Sequence, residues 1–151
     1  MKAERKYLAH YIDVAFDTTY AAPTYVRLGK DLEEYSEELS PDVETAKNIL
    51  GENSVRVNGY EVTSSVGPYY YEYDDSLSEK VMDIAMNRTT GDGCKTTTVD
   101  VLLKPGASSD DAPTVVWAWR EDCLVVPESV GGDTSGVQLP FTIYRAGNRV
   151  K

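Results

Sequence analysis

Short segments in which apolar and polar residues alternate recur along the chain, and turn-forming residues separate them. Alternation with a period of two is the pattern of a half-buried β-strand, whose successive side chains point to opposite faces of a sheet. Tyrosine, valine and threonine are frequent in these segments, and all three favour strands. The pattern predicts strands at residues 7–15, 25–28, 60–73, 96–103, 115–126 and 137–146.

One segment has the three- and four-residue spacing of an amphipathic helix. Capping residues at positions 74–76 come directly before it, and its apolar residues are Leu77, Val81, Ile84 and Ala85. The spacing predicts an α-helix that ends near Arg88. The class predicted from the pattern is therefore mainly β with one helix.

Residues 31–51 have a different pattern. Apolar residues again recur three and four apart, which favours two short amphipathic helices that are broken at Ser40 and Pro41. Residues 52–58 follow as a polar stretch between Gly51 and Gly59. Turn residues on both sides predict an exposed loop there.

Length and charge limit the number of domains and the kinds of protein that the chain can be. The chain has 151 residues and a mass of 16.7 kDa, which predicts a single domain over residues 1–151. Its formal net charge is −10, so it lacks the basic surface from which nucleic-acid readers gain affinity. No run of apolar residues is long enough for a membrane span or a signal peptide, and we expect a cytoplasmic protein without a membrane partner.

Residues that could carry catalysis are sparse. His10 is the only histidine, and its place inside the first strand predicts a partly buried, hydrogen-bonded residue. Cys94 and Cys123 stand far apart without a metal-binding or redox motif, which predicts two reduced, partly buried thiols. We predict no catalytic, cofactor-binding or metal-binding residues, and no enzyme activity.

Four tyrosines within residues 69–73 form an aromatic cluster. Aromatic faces stack on sugars and on single-stranded bases, but they also pack in sheets and between subunits. A monomeric β-sandwich that binds carbohydrate through this cluster is therefore one alternative function. A small acidic hydrolase is another, although no constellation of residues supports it.

Several motifs, taken in their order along the chain, resemble the tail tube (major tail) proteins of long-tailed phages and prophages of Gram-positive bacteria. The resemblance is nearly full length. It rests on these residues: 11–14 (YIDV), 25–32 (YVRLGKDL), 41–52 (PDVETAKNILGE), 60–61 (YE), 131–136 (GGDTSG) and 138–141 (QLPF).

The resemblance implies a β-sandwich or partly open barrel with one flanking helix, assembled into hexameric rings that stack into a tail tube. The expected partners are further copies of the chain, the tape measure protein and other tail proteins. Double-stranded DNA would pass through the tube without specific binding. The expected location is the virion tail, and the host cytoplasm during assembly. A neighbouring tail protein, such as a terminator or connector, is an alternative within the same reading.

The resemblance also implies a hairpin on the channel side, formed by residues 32–40 and 43–50 with its turn at Pro41 and Asp42. Carboxylates facing the channel would repel DNA phosphates weakly and let the genome slide. The candidates for this lining are Glu33, Glu34, Glu37, Glu38 and Glu44. The candidates for contact between stacked rings are the residues of the predicted loop: Glu52, Asn53, Ser54, Val55, Arg56, Val57 and Asn58.

Overall fold

The computed structural model describes residues 2–17, 19–29, 35–67, 69–108 and 111–151. The fold is mainly β with one α-helix, as the sequence predicts. The strands are β1 (Leu8–Asp13), β2 (Tyr25–Leu28), β3 (Glu37–Glu38), β4 (Pro41–Lys47), β5 (Asn53–Tyr60), β6 (Thr63–Val66), β7 (Lys95–Lys104), β8 (Thr114–Pro127), β9 (Gly131–Asp133), β10 (Gly136–Gln138) and β11 (Phe141–Val150), and the helix is α1 (Ser76–Asn87).

Seven of the strands form one antiparallel sheet in the order β2-β1-β7-β8-β11-β6-β3. The sheet curls into a half-barrel, so the expected partly open barrel describes the fold better than a β-sandwich does. Two further antiparallel pairs, β4 with β5 and β9 with β10, are separate two-stranded sheets. Within the described ranges, no helix is long and apolar enough to cross a membrane.

One face of the seven-stranded sheet, here called the core face, packs against α1. Alternate residues of the strands point to it because side chains alternate across a sheet. Each fully buried aliphatic or aromatic side chain contributes about 1.5–3 kcal/mol to folding. The centre of this core consists of Ile12, Val66, Val125, Phe141 and Ile143 from the strands, with Leu77 and Val81 from the helix.

Helix α1 begins and ends as its sequence predicts. The carboxylate of Asp75 accepts a hydrogen bond from the backbone N–H of Leu77, which makes Asp75 the N-cap. Arg88 ends the helix in the left-handed conformation, and its N–H bonds back to the last turn. The carboxylate of Asp75 also accepts from the Ser78 hydroxyl at 3.1 Å, and that hydroxyl lies 3.0 Å from the Tyr69 hydroxyl. The cap thus links the helix to the core.

Most predicted strands are present, but their first and last residues differ from those predicted. The strand at Tyr25–Leu28 matches its predicted bounds, and β7 and β8 each extend the predicted strand by one residue at both ends. The prediction of one strand at 60–73 is wrong: Tyr60 ends β5, Thr63–Val66 form β6, and Tyr70 makes a single bridge with Gln138, while residue 68 lies outside the described residues. The predicted strand at 137–146 divides into β10 and β11.

Two predictions for residues 35–60 are wrong. The periodicity that favoured helices belongs to strand β4 and the turn after it. The hairpin implied with its turn at Pro41 and Asp42 is not formed either, because β3 pairs with β6, whereas β4 pairs with β5. The observed hairpin turns at residues 48–52, and Leu32 lies outside the described residues.

Candidate functional site

A β-hairpin projects from the sheet with hardly any of its surface buried. We call β4, β5 and the turn between them (residues 41–60) the arm. All seven residues of β4 and all but one of the eight residues of β5 are exposed. At its root the backbone N–H of Glu61 donates to the carbonyl oxygen of Ser40 at 3.3 Å, so the two chains enter and leave the arm side by side.

The turn of the arm is organised by Asn48. Its side-chain oxygen accepts hydrogen bonds from the backbone N–H groups of Leu50 and Glu52, both at 2.9 Å. Gly51 takes a positive φ of 78°, which a residue without a Cβ adopts easily. These contacts leave Ile49 and Leu50 at the tip with relative exposures of 103% and 77%.

The two faces of the arm differ in chemistry. Val43 pairs with Val57 and Thr45 with Val55, which places three valines on one face; the opposite face carries the pair Glu44 and Arg56. The exposed fractions of Val43, Val55 and Val57 are 50%, 68% and 53%. An isolated two-stranded hairpin is only marginally stable in water. The valine face is therefore an exposed apolar surface on a hairpin that has little packing of its own.

A buried polar cluster lies at one end of the core face, beside the root of the arm. His10 Nδ1 is 2.6 Å from Asp100 Oδ1. Arg145 Nη2 donates to Glu37 Oε1 at 2.8 Å and to the Tyr35 hydroxyl at 3.2 Å. We call these five residues the polar cluster. The side chain of Arg145 is only 2% exposed, so the cluster joins β3, β1, β7 and β11 inside the protein.

Burial and mutual contact shift the carboxyl groups of the polar cluster in opposite directions. Burial, and then the hydrogen bond with Asp100, raise the pKa of Glu37 to about 7. Burial also opposes ionisation of Asp100, but hydrogen bonds with His10 and Glu37 and the nearby Arg145 outweigh it and lower the pKa of Asp100 to about 2. One proton is therefore held between two carboxyls, on the side of Glu37.

Three of these residues could in principle hold a metal ion. Ligand atoms of His10, Glu37 and Asp100 all lie within 4.8 Å of one another. The Arg145 guanidinium, however, already supplies a positive charge 2.8 Å from Glu37 and 3.8 Å from Asp100. A second cation would have to bind against that charge, so the cluster is better suited to hold a proton.

The described carboxylates among the five predicted to face the channel lie in different surroundings. Glu33 and Glu34 lie outside the described residues. Glu37 is directed towards Arg145, whereas Glu38 is exposed on β3 and Glu44 is exposed on the polar face of the arm. Their role in a channel stays a prediction.

The predicted polar loop at 52–58 is wrong as secondary structure. Glu52 closes the turn of the arm, and Asn53, Ser54, Val55, Arg56, Val57 and Asn58 belong to strand β5. The alternation of Val55 and Val57 with polar neighbours was the signal for a strand, and the surrounding asparagines and glycines obscured it. The proposed role of these residues in contact between rings stays a prediction.

The buried histidine and cysteines are where the sequence placed them. His10 is 5% exposed within β1 and is hydrogen-bonded to Asp100, which confirms its prediction. Cys94 and Cys123 are both buried and free, and burial raises the pKa of the Cys123 thiol to about 12. Both thiols are therefore protonated at neutral pH and unreactive.

The tyrosines at 69–73 do not share one surface. Tyr69 is buried against Phe141, with its ring edge-on at a centroid distance of 5.2 Å, whereas Tyr73 is 86% exposed. Tyr71 packs edge-on against Tyr73. The four rings therefore do not form one stacking platform, and the carbohydrate-binding alternative stays a prediction.

Asp100, Arg145 and Tyr35 were missed by sequence reasoning. They are functional candidates because of their contacts with Glu37, with His10 and with one another, and those contacts join residues as far as 110 positions apart. Comparison with known proteins adds no assignment: no protein-family model matches the chain, and neither does any curated protein.

Proposed function

We propose that this chain is a structural virion protein that polymerises as stacked hexameric rings to form a phage tail tube. The observation that carries the proposal is the arm, a hairpin whose valine face is exposed in the single subunit. The ordered motifs that resemble tail tube proteins support the same function.

Identical neighbours are the simplest cover for the arm. Each subunit offers an arm and also has β2 and β3 as terminal strands of its sheet, where another strand can pair. A contact between two different surfaces of the same chain is heterologous, and repetition of such a contact closes a ring or extends a filament. An exposed arm on an open sheet is therefore suited to assembly.

The surplus of negative charge fits a conduit for DNA. A carboxylate 4 Å from a phosphate in water is repelled by only about 1 kcal/mol, and salt screens that repulsion over about 8 Å. Such a lining prevents tight binding of the genome without closing the channel. Among the described candidates, Glu38 and Glu44 are exposed and available for this role.

Negative-stain electron microscopy of the concentrated protein, together with sedimentation velocity, tests the proposal. The native chain should give tubes or stacked rings. A variant with Val55→Ser and Val57→Ser should sediment as a monomer. Its free energy of unfolding should lie within about 1 kcal/mol of that of the native chain, because both side chains are already exposed.

The matched control is Ala46→Ser, on the polar face of the same hairpin, which should assemble normally. A native chain that remains monomeric at high concentration would contradict the proposal and favour a free-standing binding module. Isolated single rings that never stack would instead favour a terminator or connector protein.

A further inference from the structure

The charges of the polar cluster balance when the cluster holds one mobile proton. Arg145 contributes one positive charge, and Asp100 and Glu37 contribute two negative charges when both are ionised. The cluster is neutral only when one further proton sits on Glu37 or His10. Among the described residues, the further cation that acts on Glu37 is Arg149, whose side chain is 44% exposed and therefore compensates an extra buried negative charge only weakly.

Glu37 is also the member of the cluster that can leave it most easily. It belongs to β3, which has two residues and lies at the edge of the sheet, and β3 pairs only with β6 among the described strands. His10 and Asp100 lie on central strands with partners on both sides. If the cluster loses its proton, moving Glu37 into water relieves the unpaired charge with the smallest loss of structure.

We propose that the polar cluster is a proton-dependent latch, in which protonated Glu37 holds β3, and with it the root of the arm, against the sheet. Only Leu39 and Ser40 separate β3 from β4. The position of β3 therefore controls where the arm leaves the body. The latch depends on contacts within one subunit and does not depend on the proposed function.

The direction of the pH dependence follows from linkage. Glu37 has a pKa of about 7 when attached, against an ordinary value of 4.5 when exposed to water. The attached state therefore binds the proton more tightly. Its advantage is complete below about pH 4.5 and is lost as the pH rises through about 7. The ratio of attached to detached β3 should fall by up to about three hundredfold, since each pKa unit between the two values corresponds to a factor of ten.

Neighbouring elements contribute other charged and polar groups to this balance. On β6 the facing group is the Ser64 hydroxyl, which does not titrate in this range and accepts from Arg145. The charged groups that act on Glu37 are Asp100 on β7 and Arg145 and Arg149 on β11. The wider cluster also includes His10 on β1, Glu121 and Cys123 on β8, and Tyr35 just before β3.

Amide hydrogen exchange, with rates corrected for their intrinsic pH dependence, measures the latch directly. In the native chain the protection of the β3–β6 pairing should fall at least tenfold between pH 5 and pH 8, while β7–β8 amides stay constant. In Glu37→Gln the neutral amide replaces the protonated carboxyl, so protection should not change with pH. Glu38→Gln, the exposed neighbour on β3, should retain the native dependence.

A carbon-13 titration of the Glu37 carboxyl in the native chain gives a second readout that needs no variant. Its midpoint should lie near 7. A midpoint in the ordinary range of glutamate, protection that is constant between pH 5 and pH 8, or a fall that persists in Glu37→Gln would each overturn the latch.

Discussion

The arm and the core face differ in how far their apolar and charged side chains are buried. The core face buries both its aliphatic residues and an arginine with its partners, so that Arg145 is 2% exposed. The arm leaves three valines, an isoleucine and a leucine in contact with water. The core face is buried within the chain, whereas the apolar residues of the arm are exposed in the single subunit.

This contrast separates stability from association. Residues of the core face should determine whether the subunit folds, because each of them loses many contacts when it is changed. Residues of the arm should determine whether subunits associate, because they have few contacts to lose within the chain. The polar cluster lies where the two regions meet, since Glu37 lies three residues before Ser40 at the root of the arm.

The largest expected loss of folding stability comes from a substitution in the core face. Replacing Arg145 by alanine leaves the Asp100 and Glu37 carboxyls buried without their cation. Removal of one partner from a buried ion pair destabilises a protein by about 3–5 kcal/mol. Urea denaturation followed by tryptophan fluorescence measures the loss.

Arg149→Ala is the control for that change. Its side chain is 44% exposed and lies 3.9 Å from Glu121, so its removal should lower the free energy of unfolding by about 1 kcal/mol or less. Equal effects of the two substitutions would mean that burial of Arg145 does not govern the stability of the core face.

A smaller effect is expected at the helix N-terminus. Asp75→Ala removes the cap of α1 and the acceptor of the Ser78 hydroxyl, and should destabilise the subunit by about 1 kcal/mol. Asp74→Asn, at the exposed neighbouring position with a φ of 64°, keeps a residue type that tolerates this backbone conformation and should change stability by less than about 0.5 kcal/mol. Thermal unfolding monitored by circular dichroism at the helix band distinguishes the two variants.

The regions that the sequence predicts well are those completed locally or by the core. Helix α1 combines a cap at Asp75 with apolar spacing, and both signals act within one turn of the chain. Strand β1 places His10 and Ile12 on the core face, where both are buried. Burial within the chain is what makes a hydrophobic pattern match its structure.

The arm misleads sequence reasoning because no burial within the chain constrains its pattern. Val43, Ala46, Ile49 and Leu50 have helical spacing, yet they are exposed in a strand and its turn. The polar cluster was hidden for another reason: its members come from distant strands, and only the sheet order places Glu37 beside Arg145.

The smallest expected change in stability tests the comparison most directly. Because Glu61 N–H bonds to the Ser40 carbonyl oxygen, residues 41–60 can be excised and replaced by two glycines without pulling the body apart. The arm has almost no buried surface, so the free energy of unfolding of the shortened chain should lie within about 1 kcal/mol of that of the native chain. It should also give no tubes or rings in negative stain. Normal tubes from this variant would assign assembly to the sheet edges instead, whereas a body that fails to fold would show that the arm contributes to the core after all.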